Sequence, residues 1–262
     1  MIRRHAKSGR RRRWQDLRDR RRKGIFLLPS LLTTANLFCG FLALLLTVEG
    51  RYAEAVLAIY VAMLMDLLDG RVARLMKATS QFGVEFDSLA DVVSFCVAPA
   101  FLIHAFALGH LGRPAWFAGF LFAICGALRL ARFNVQTGTM DKRFFVGLST
   151  PAAAGAVVST VMLLDGTVLE RWHLVAITAG TYCVALLMVS TFKYVSFKES
   201  DFARRHPAPA LLIVVLGVII IAMNYEVFLF LIFMSYALSG PVRRLVKGRA
   251  PAAAPEPAPR PQ

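Results

Sequence analysis

Long apolar runs separated by short polar segments dominate the 262-residue chain. A window of about 19 residues locates eight candidate membrane spans, near 31–48, 52–73, 88–108, 114–133, 149–165, 172–191, 209–224 and 226–240. About 20 apolar residues are enough for a helix to cross the hydrocarbon core of a bilayer. Because 57% of all residues are apolar, we expect an all-α fold, a polytopic membrane helical bundle of about eight transmembrane helices.

The same pattern divides the chain into four regions. We expect a basic leader at 1–24, a transmembrane core at 25–200, two additional helices at 201–245 and a tail at 246–262. The core holds the first six spans, which we predict to form a six-helix functional unit. The tail is rich in Pro and Ala, a composition typical of disordered segments.

The distribution of basic residues predicts the orientation. With the N-terminus inside, the outer connections hold only Arg51, Arg113 and Arg171 of the 31 Lys and Arg residues. Basic residues that flank spans are retained on the cytoplasmic side. We therefore expect both termini, and the end of the bundle that carries the acidic motif described below, on the cytoplasmic side of the cell (inner) membrane.

The net charge of +15 fits either nucleic acid or an anionic membrane surface. The basic runs 10–13 and 20–23 lie directly before a predicted span, where lipid headgroups are the nearer partner. Each basic residue near such a surface contributes about 1 kcal/mol of attraction. We therefore predict membrane lipids, and no nucleic acid, as partners of the leader.

Four aspartates stand out in this apolar chain. Asp66 and Asp69 lie three residues apart, and Asp87 and Asp91 lie four apart, so each pair shares one helical face. The second span runs inward and the third returns, which predicts that both pairs meet at the cytoplasmic end of an antiparallel helix pair. An acid within a transmembrane helix costs roughly 2.5–3.5 kcal/mol on insertion scales, so the cluster requires compensation.

Bound cations are the compensation that we predict. Carboxylates packed this closely repel one another unless cations balance them, and hard divalent ions such as Mg²⁺ or Mn²⁺ prefer oxygen ligands. Two such ions about 4 Å apart are typical of phosphoryl-transfer sites. Gly70, Ala73 and Gly83 leave room beside the acids, and the Arg74 guanidinium can bind phosphate oxygens.

Two other interpretations explain part of this acidic pattern. A single acid could pair with Arg71, Arg74 or Lys77 at the membrane surface, but four acids at these spacings favour a metal site. A cation transporter also uses intramembrane acids. Transporter sites lie near the midplane between repeated halves with broken helices, and this sequence shows neither feature.

The acids belong to the pattern D-x2-D-G-x2-A-R-x8-G-x3-D-x3-D, which begins at Asp66 and ends at Asp91. This pattern resembles the signature of the CDP-alcohol phosphotransferase family. The resemblance implies that CMP is displaced from a CDP-linked donor by an alcohol, with two divalent cations, Mg²⁺ or Mn²⁺. It implies metal ligation by Asp66, Asp69, Asp87 and Asp91, a general-base role for Asp91, and a CDP site formed by Gly70, Ala73, Arg74 and Gly83.

Further segments resemble the membrane-integral phosphatidylserine synthases of bacteria and archaea within that family. These segments are 28–40, 86–95, 128–134, 188–190 and 196–198. The resemblance implies CDP-diacylglycerol as donor, L-serine as acceptor and a homodimer. Departures at Ser30, Cys96 and Ser149 leave choline, glycerol 3-phosphate or inositol phosphate as alternative acceptors.

Four polar residues outside the motif are candidate ligands for the substrates. Arg129 and Arg132 are i, i+3 neighbours that could bind the carboxylate of serine or simply flank a span on its cytoplasmic side. Thr33 and Asn36 lie on one face of the first span. They could hydrogen-bond the nucleotide or a neighbouring helix.

Overall fold

The computed structural model describes residues 28–76, 80–136, 144–195 and 223–247. These residues form seven helices and one two-stranded sheet. The helices are α1 (Leu28–Val48), α2 (Tyr52–Leu75), α3 (Gln81–Phe106), α4 (Arg113–Gln136), α5 (Thr150–Leu164), α6 (Arg171–Val189) and α7 (Tyr225–Lys247). The strands β1 (Phe144–Val146) and β2 (Lys193–Val195) pair antiparallel.

The predicted fold class, an all-α polytopic membrane bundle, is confirmed. Within the described residues, five helices are long and apolar enough to cross a membrane, namely α1, α3, α4, α6 and α7. Helix α2 has 24 residues but carries the charged motif, and α5 has only 15 residues. Predicted spans one to six coincide with α1–α6 and the eighth with α7, whereas nearly all of 209–224 lies outside the described residues. The count of eight therefore stays a prediction.

Two local features differ from the sequence-based expectation. Helix α3 begins at Gln81 instead of near 88, because Ser80 caps it: the Ser80 Oγ accepts a hydrogen bond from the Gly83 backbone N–H at 3.0 Å. The sequence analysis also did not predict the short β1–β2 ladder that links the α4–α5 and α6–α7 connections. The leader at 1–24, the tail at 246–262 except its first two residues, and 201–222 of the region 201–245 lie outside the described residues.

A close approach of α1 and α3 lies directly beside the acids. Immediately after Asp91, α3 winds as a π-helix over Val92–Val97, a geometry that is frequent at functional sites. The Ser94 hydroxyl donates to the Asn36 carbonyl oxygen at 3.0 Å. Gly40 permits this approach, since a Cβ at that position would lie 2.7 Å from the Ser94 Cα.

Helix α5 lies in the centre of the bundle. Its alanines face neighbours on several sides, and Ala153 and Ala154 are fully buried. Small side chains allow helices in a membrane to approach closely, because packing and not the hydrophobic effect drives their association. The centre of the bundle is therefore made of small residues, and the four motif aspartates lie at one end of it, on α2 and α3.

We expect Gly40→Ala to destabilise the protein by about 1–3 kcal/mol, the usual cost of overpacking a core, because the new methyl group would overlap Ser94. Gly180→Ala is the matched control: no described atom lies within 4 Å of a Cβ there. Thermal unfolding in detergent measures both variants. Equal midpoints for the two variants would contradict the close α1–α3 packing.

Candidate metal and substrate site

Three of the four motif aspartates converge where α2 ends and α3 begins. One carboxylate oxygen from each of Asp66, Asp69 and Asp87 lies within 4.8 Å of the other two. The short connection between the helices brings the last turns of α2 beside the first turns of α3, so acids from both helices face one another. Asp91 lies one turn further along α3 and is within electrostatic reach of all three.

The geometry of this acidic cluster fits a divalent cation. Asp69 is only 4% exposed, and the Asp87 Oδ1 is buried with no hydrogen-bond partner among the described residues. A buried carboxylate oxygen without a donor is costly, and a hard cation would satisfy it. Three oxygens at this spacing match the donor type that Mg²⁺ and Mn²⁺ prefer.

No described basic side chain neutralises the cluster through an ion pair. Within the described ranges, the ion pairs join Arg51 to Glu49 and Glu54, which lie at the opposite end of α2. Arg71 and Arg74 form no ion pair with the four aspartates in that part of the chain. The alternative that the acids merely pair with these arginines therefore gains no support, and Lys77 lies outside the described residues.

Helix α1 supplies neutral donors to the acids. The Thr33 Oγ1 lies 3.0 Å from the Asp69 Oδ2 and 3.1 Å from the Pro29 carbonyl oxygen, so its one hydrogen serves two acceptors. The Asn36 Nδ2 donates to the Asp91 Oδ1 at 3.1 Å. Both α1 side chains are buried. These bonds fix the orientation of two carboxylates without cancelling their charge.

A cavity of about 200 Å³ opens beside the cluster, between α1, α2 and the start of α3. Its lining comprises Pro29, Ser30, Thr33, Asp69, Gly70, Ala73, Arg74, Ser80, Gly83, Val84 and Asp87. All four residues that the family resemblance assigns to CDP are in this lining. Asn36 is not, because its side chain faces Asp91.

Four lining residues were missed as site residues by the sequence analysis, namely Pro29, Ser30, Ser80 and Val84. Ser80 had a detectable signal, since a serine three residues before Gly83 at the start of a helical pattern is a typical N-cap. The Arg74 guanidinium lies back over Gly70, whose absent Cβ would be 3.9 Å from both terminal guanidinium nitrogens. The small residue therefore leaves the arginine room beside the cavity.

The two arginines of α4 have different surroundings. The Arg132 Nη1 donates to the Val189 carbonyl oxygen at 3.2 Å, one of the carbonyls left unpaired at the end of α6. Arg129 is largely buried, its Nε has no hydrogen-bond partner within the described chain, and its guanidinium is within electrostatic reach of Asp91. Arg132 therefore joins α4 to the end of α6, whereas the Arg129 Nε is left without a protein acceptor in the described ranges.

A further contact, not foreseen from the sequence, holds α4 against α3. The Asn134 Nδ2 donates to the Ser88 Oγ at 3.0 Å, and the Ser88 hydroxyl in turn donates to the Val84 carbonyl oxygen at 3.0 Å. Ser88 directly follows Asp87. The end of α4 that carries Arg129 is thus fixed relative to the acidic cluster.

Comparisons with known proteins agree with this geometry. The family model for CDP-alcohol phosphatidyltransferase matches residues 26–184. Three similar proteins are each named CDP-diacylglycerol–serine O-phosphatidyltransferase. The relative from Helicobacter pylori is 38% identical over 181 residues, which are 67% of this chain and 74% of that protein. The Bacillus subtilis relative is 34% identical over 172 residues (66% and 92%), and that from Methanocaldococcus jannaschii is 36% identical over 178 residues (68% and 78%).

The matched region contains the complete acidic motif, the cavity lining and both arginines of α4, and it covers more than half of the chain. The resemblance found in the sequence is thereby confirmed. The chain belongs to the CDP-alcohol phosphatidyltransferase family.

Proposed function

We propose that this protein transfers the phosphatidyl group of CDP-diacylglycerol to the hydroxyl of L-serine and releases CMP. The observation that carries the proposal is the cluster of Asp66, Asp69 and Asp87 at the edge of the 200 Å³ cavity. Carboxylates that bind cations next to a cavity with room for phosphates suit phosphoryl transfer. The names of the relatives from Helicobacter, Bacillus and Methanocaldococcus support serine as the acceptor.

The cavity suits the CDP part of the donor. Gly70, Ala73 and Gly83 keep its wall free of bulk, and Arg74 provides a guanidinium for phosphate oxygens. Asp66, Asp69, Asp87 and Asp91 would hold two divalent cations, Mg²⁺ or Mn²⁺. When bound, these ions would neutralise the charge that develops on the phosphoryl oxygens. The Thr33 hydroxyl lines the same cavity and keeps Asp69 oriented.

Asp91 is placed to act as the general base. It is 8% exposed, and Asn36 occupies only its Oδ1, which leaves Oδ2 to accept a proton. A serine hydroxyl is a weak acid, so its attack requires a base at hydrogen-bonding distance. As the serine oxygen bonds to the β-phosphorus, the bond to CMP breaks, and the proton passes to Asp91. This direct displacement needs no protein nucleophile.

Arg129 is the stronger of the two candidates for binding the serine carboxylate. Its buried Nε has no hydrogen-bond partner among the described residues, whereas Arg132 already donates to the Val189 carbonyl oxygen. A guanidinium binds a carboxylate through two parallel hydrogen bonds. A phosphorylated acceptor would need more basic groups, and the spare candidates, Lys142 and Arg143, lie outside the described residues.

The location follows from the same proposal. Apolar helices make this an integral membrane protein, and we place it in the cell (inner) membrane with the acidic end and both termini in the cytoplasm. The distribution of Lys and Arg supports that orientation. CDP-diacylglycerol would reach the site from the bilayer and serine from the cytoplasm. Homodimerisation remains an expectation from the family.

The proposal is tested by CMP release from purified protein supplied with CDP-diacylglycerol and Mn²⁺ or Mg²⁺. L-serine is compared with choline, glycerol 3-phosphate and inositol phosphate. We expect release that requires serine and a divalent ion and stops when the ion is chelated. Release with another acceptor only would overturn the acceptor assignment, and no release under any condition would overturn the enzyme proposal.

Asp91→Asn should lower kcat by about 100- to 10,000-fold, the usual contribution of a general base. Binding of Mn²⁺ should be largely kept, because Asp66, Asp69 and Asp87 form their cluster without Asp91. Electron paramagnetic resonance of free and bound Mn²⁺ measures the binding. Asp165→Asn, at an exposed position after α5, is the control and should change neither quantity. Near-normal kcat in Asp91→Asn would refute the base assignment.

A further inference from the structure

Asn36 on α1 has one end of its side-chain amide in use and the other end unpaired. The residue is fully buried, and its Nδ2 donates to the Asp91 Oδ1 at 3.1 Å. An ionised carboxylate offers only acceptors, so this bond fixes which end of the amide faces Asp91. The other end, the Asn36 Oδ1, is buried and has no hydrogen-bond partner among the residues that the structure describes.

The backbone of Asn36 is held in place as well. Its carbonyl oxygen accepts a hydrogen bond from the Ser94 Oγ at 3.0 Å, and Gly40, one turn further along α1, allows α1 and α3 to lie this close. A side chain fixed by its backbone at one end and by Asp91 at the other is not free to turn its Oδ1 toward another donor. A buried acceptor without a donor is costly, so this oxygen requires a partner that enters the site.

The position of Asn36 separates it from the nucleotide. Thr33, one turn earlier on α1, lines the cavity proposed for CDP and contacts Asp69. The lining of that cavity, as far as the structure describes the chain, does not include Asn36. Its partner Asp91 is also not one of the three acids whose oxygens cluster within 4.8 Å. Asn36 therefore lies beside the proposed general base, where the acceptor must bring its hydroxyl.

We propose that the Asn36 Oδ1 accepts a hydrogen bond from the ammonium group of the acceptor and thereby selects an amino-acid acceptor. The inference rests on the proposed function and deepens it. In serine the ammonium and the hydroxyl are attached to adjacent carbon atoms, so the groups that receive them must be neighbours, as Asn36 and Asp91 are. The nearby carboxylates favour a cationic group at this point, and a charged donor forms a stronger hydrogen bond than a neutral one.

The test compares L-serine with 3-hydroxypropanoate, which keeps the hydroxyl and the carboxylate and has a hydrogen atom in place of the ammonium. Release of CMP above the rate without acceptor gives kcat/KM for each compound. We expect the wild-type protein to prefer serine, and we expect Asn36→Ala to reduce this preference by about tenfold or more, the size of one hydrogen bond to a charged group.

The ratio of the two acceptors is the quantity that reports on the Asn36 Oδ1. Loss of the bond to Asp91 should slow both reactions alike, because that bond does not involve the ammonium. Equal losses with both acceptors would show that Asn36 acts only through Asp91 or a bound cation, and would overturn the inference. Asn36→Leu fills nearly the same volume without polar atoms, and it should reduce the ratio in the same way.

Binding is measured separately with L-alanine and propanoate as competitive inhibitors against serine, since neither carries a hydroxyl that needs a base. In Asn36→Ala the inhibition constant of L-alanine should rise about tenfold, and that of propanoate should stay unchanged. Equal inhibition constants of L-alanine in the wild type and the variant would contradict recognition of the ammonium by Asn36.

Two variants on the same helix serve as controls. Thr34 is exposed, and its hydroxyl donates to the Ser30 carbonyl oxygen, so Thr34→Ala should change neither the rates nor the ratio. Thr33→Val removes the donor to Asp69 and should slow both acceptors equally. A fall in the ratio in Thr33→Val as large as that in Asn36→Ala would overturn the assignment to Asn36.

The inference and the proposed function fail in different ways. A wild-type protein that depends on serine, together with an unchanged acceptor ratio in Asn36→Ala, would overturn the inference alone. A wild-type protein that releases CMP only with an acceptor other than serine would overturn the proposed function, and the inference with it. Wild-type kinetics therefore precede the variants in the same assay.

Discussion

The repulsion among four closely spaced aspartates, of which Asp69 and Asp91 are buried, is the constraint on which the rest of the site depends. Three of their oxygens lie within 4.8 Å of one another, and the side-chain hydrogen bonds that they receive within the described part of the chain come from the neutral residues Thr33 and Asn36. Neutral donors orient carboxylates but do not remove their charge. The site is therefore rigid and anionic, and bound cations must neutralise its negative charge. A phosphoryl-transfer centre requires a site that holds divalent cations in this way.

Small residues make this rigidity possible. Gly40 lets α1 contact the π-helical turn of α3, and that contact places Asn36 within hydrogen-bonding distance of Asp91. Gly126 allows α4 to pack closely against α3, because a Cβ at that position would overlap the Cys96 Sγ. The helix that carries Arg129 therefore lies close to the acids. In a membrane, packing of this kind replaces the hydrophobic effect as the force that holds helices together. Stability and catalytic geometry therefore share the same contacts.

The sequence predicted the features that depend on a single helix or on the order of helices. Spacings of three and four placed each acid pair on one face, and the antiparallel order of two spans predicted that all four acids would meet at one end. The structure clusters Asp66, Asp69 and Asp87 there. The lining residues Gly70, Ala73, Arg74 and Gly83 came from the family resemblance. Each of these predictions needs only periodicity, topology or a local motif.

The features that sequence reasoning missed depend on contacts between distant segments. Two arginines three residues apart look equivalent in the sequence, but only Arg132 meets the unpaired carbonyl of Val189. The π-helical turn after Asp91 has no distinctive residue pattern. The hydrogen bond from the Tyr194 hydroxyl to the Ala237 carbonyl oxygen starts from a strand too short for any periodic signal. All three features depend on tertiary packing between segments that are distant in the sequence.

The most direct test of the central claim is the number of Mn²⁺ ions that the purified protein binds in the presence of CDP, measured by electron paramagnetic resonance. The account predicts two ions per chain, close enough for their spins to couple, and loss of the coupled signal in Asp87→Asn. The absence of tight binding in the wild-type protein, or binding that Asp87→Asn leaves unchanged, would contradict it.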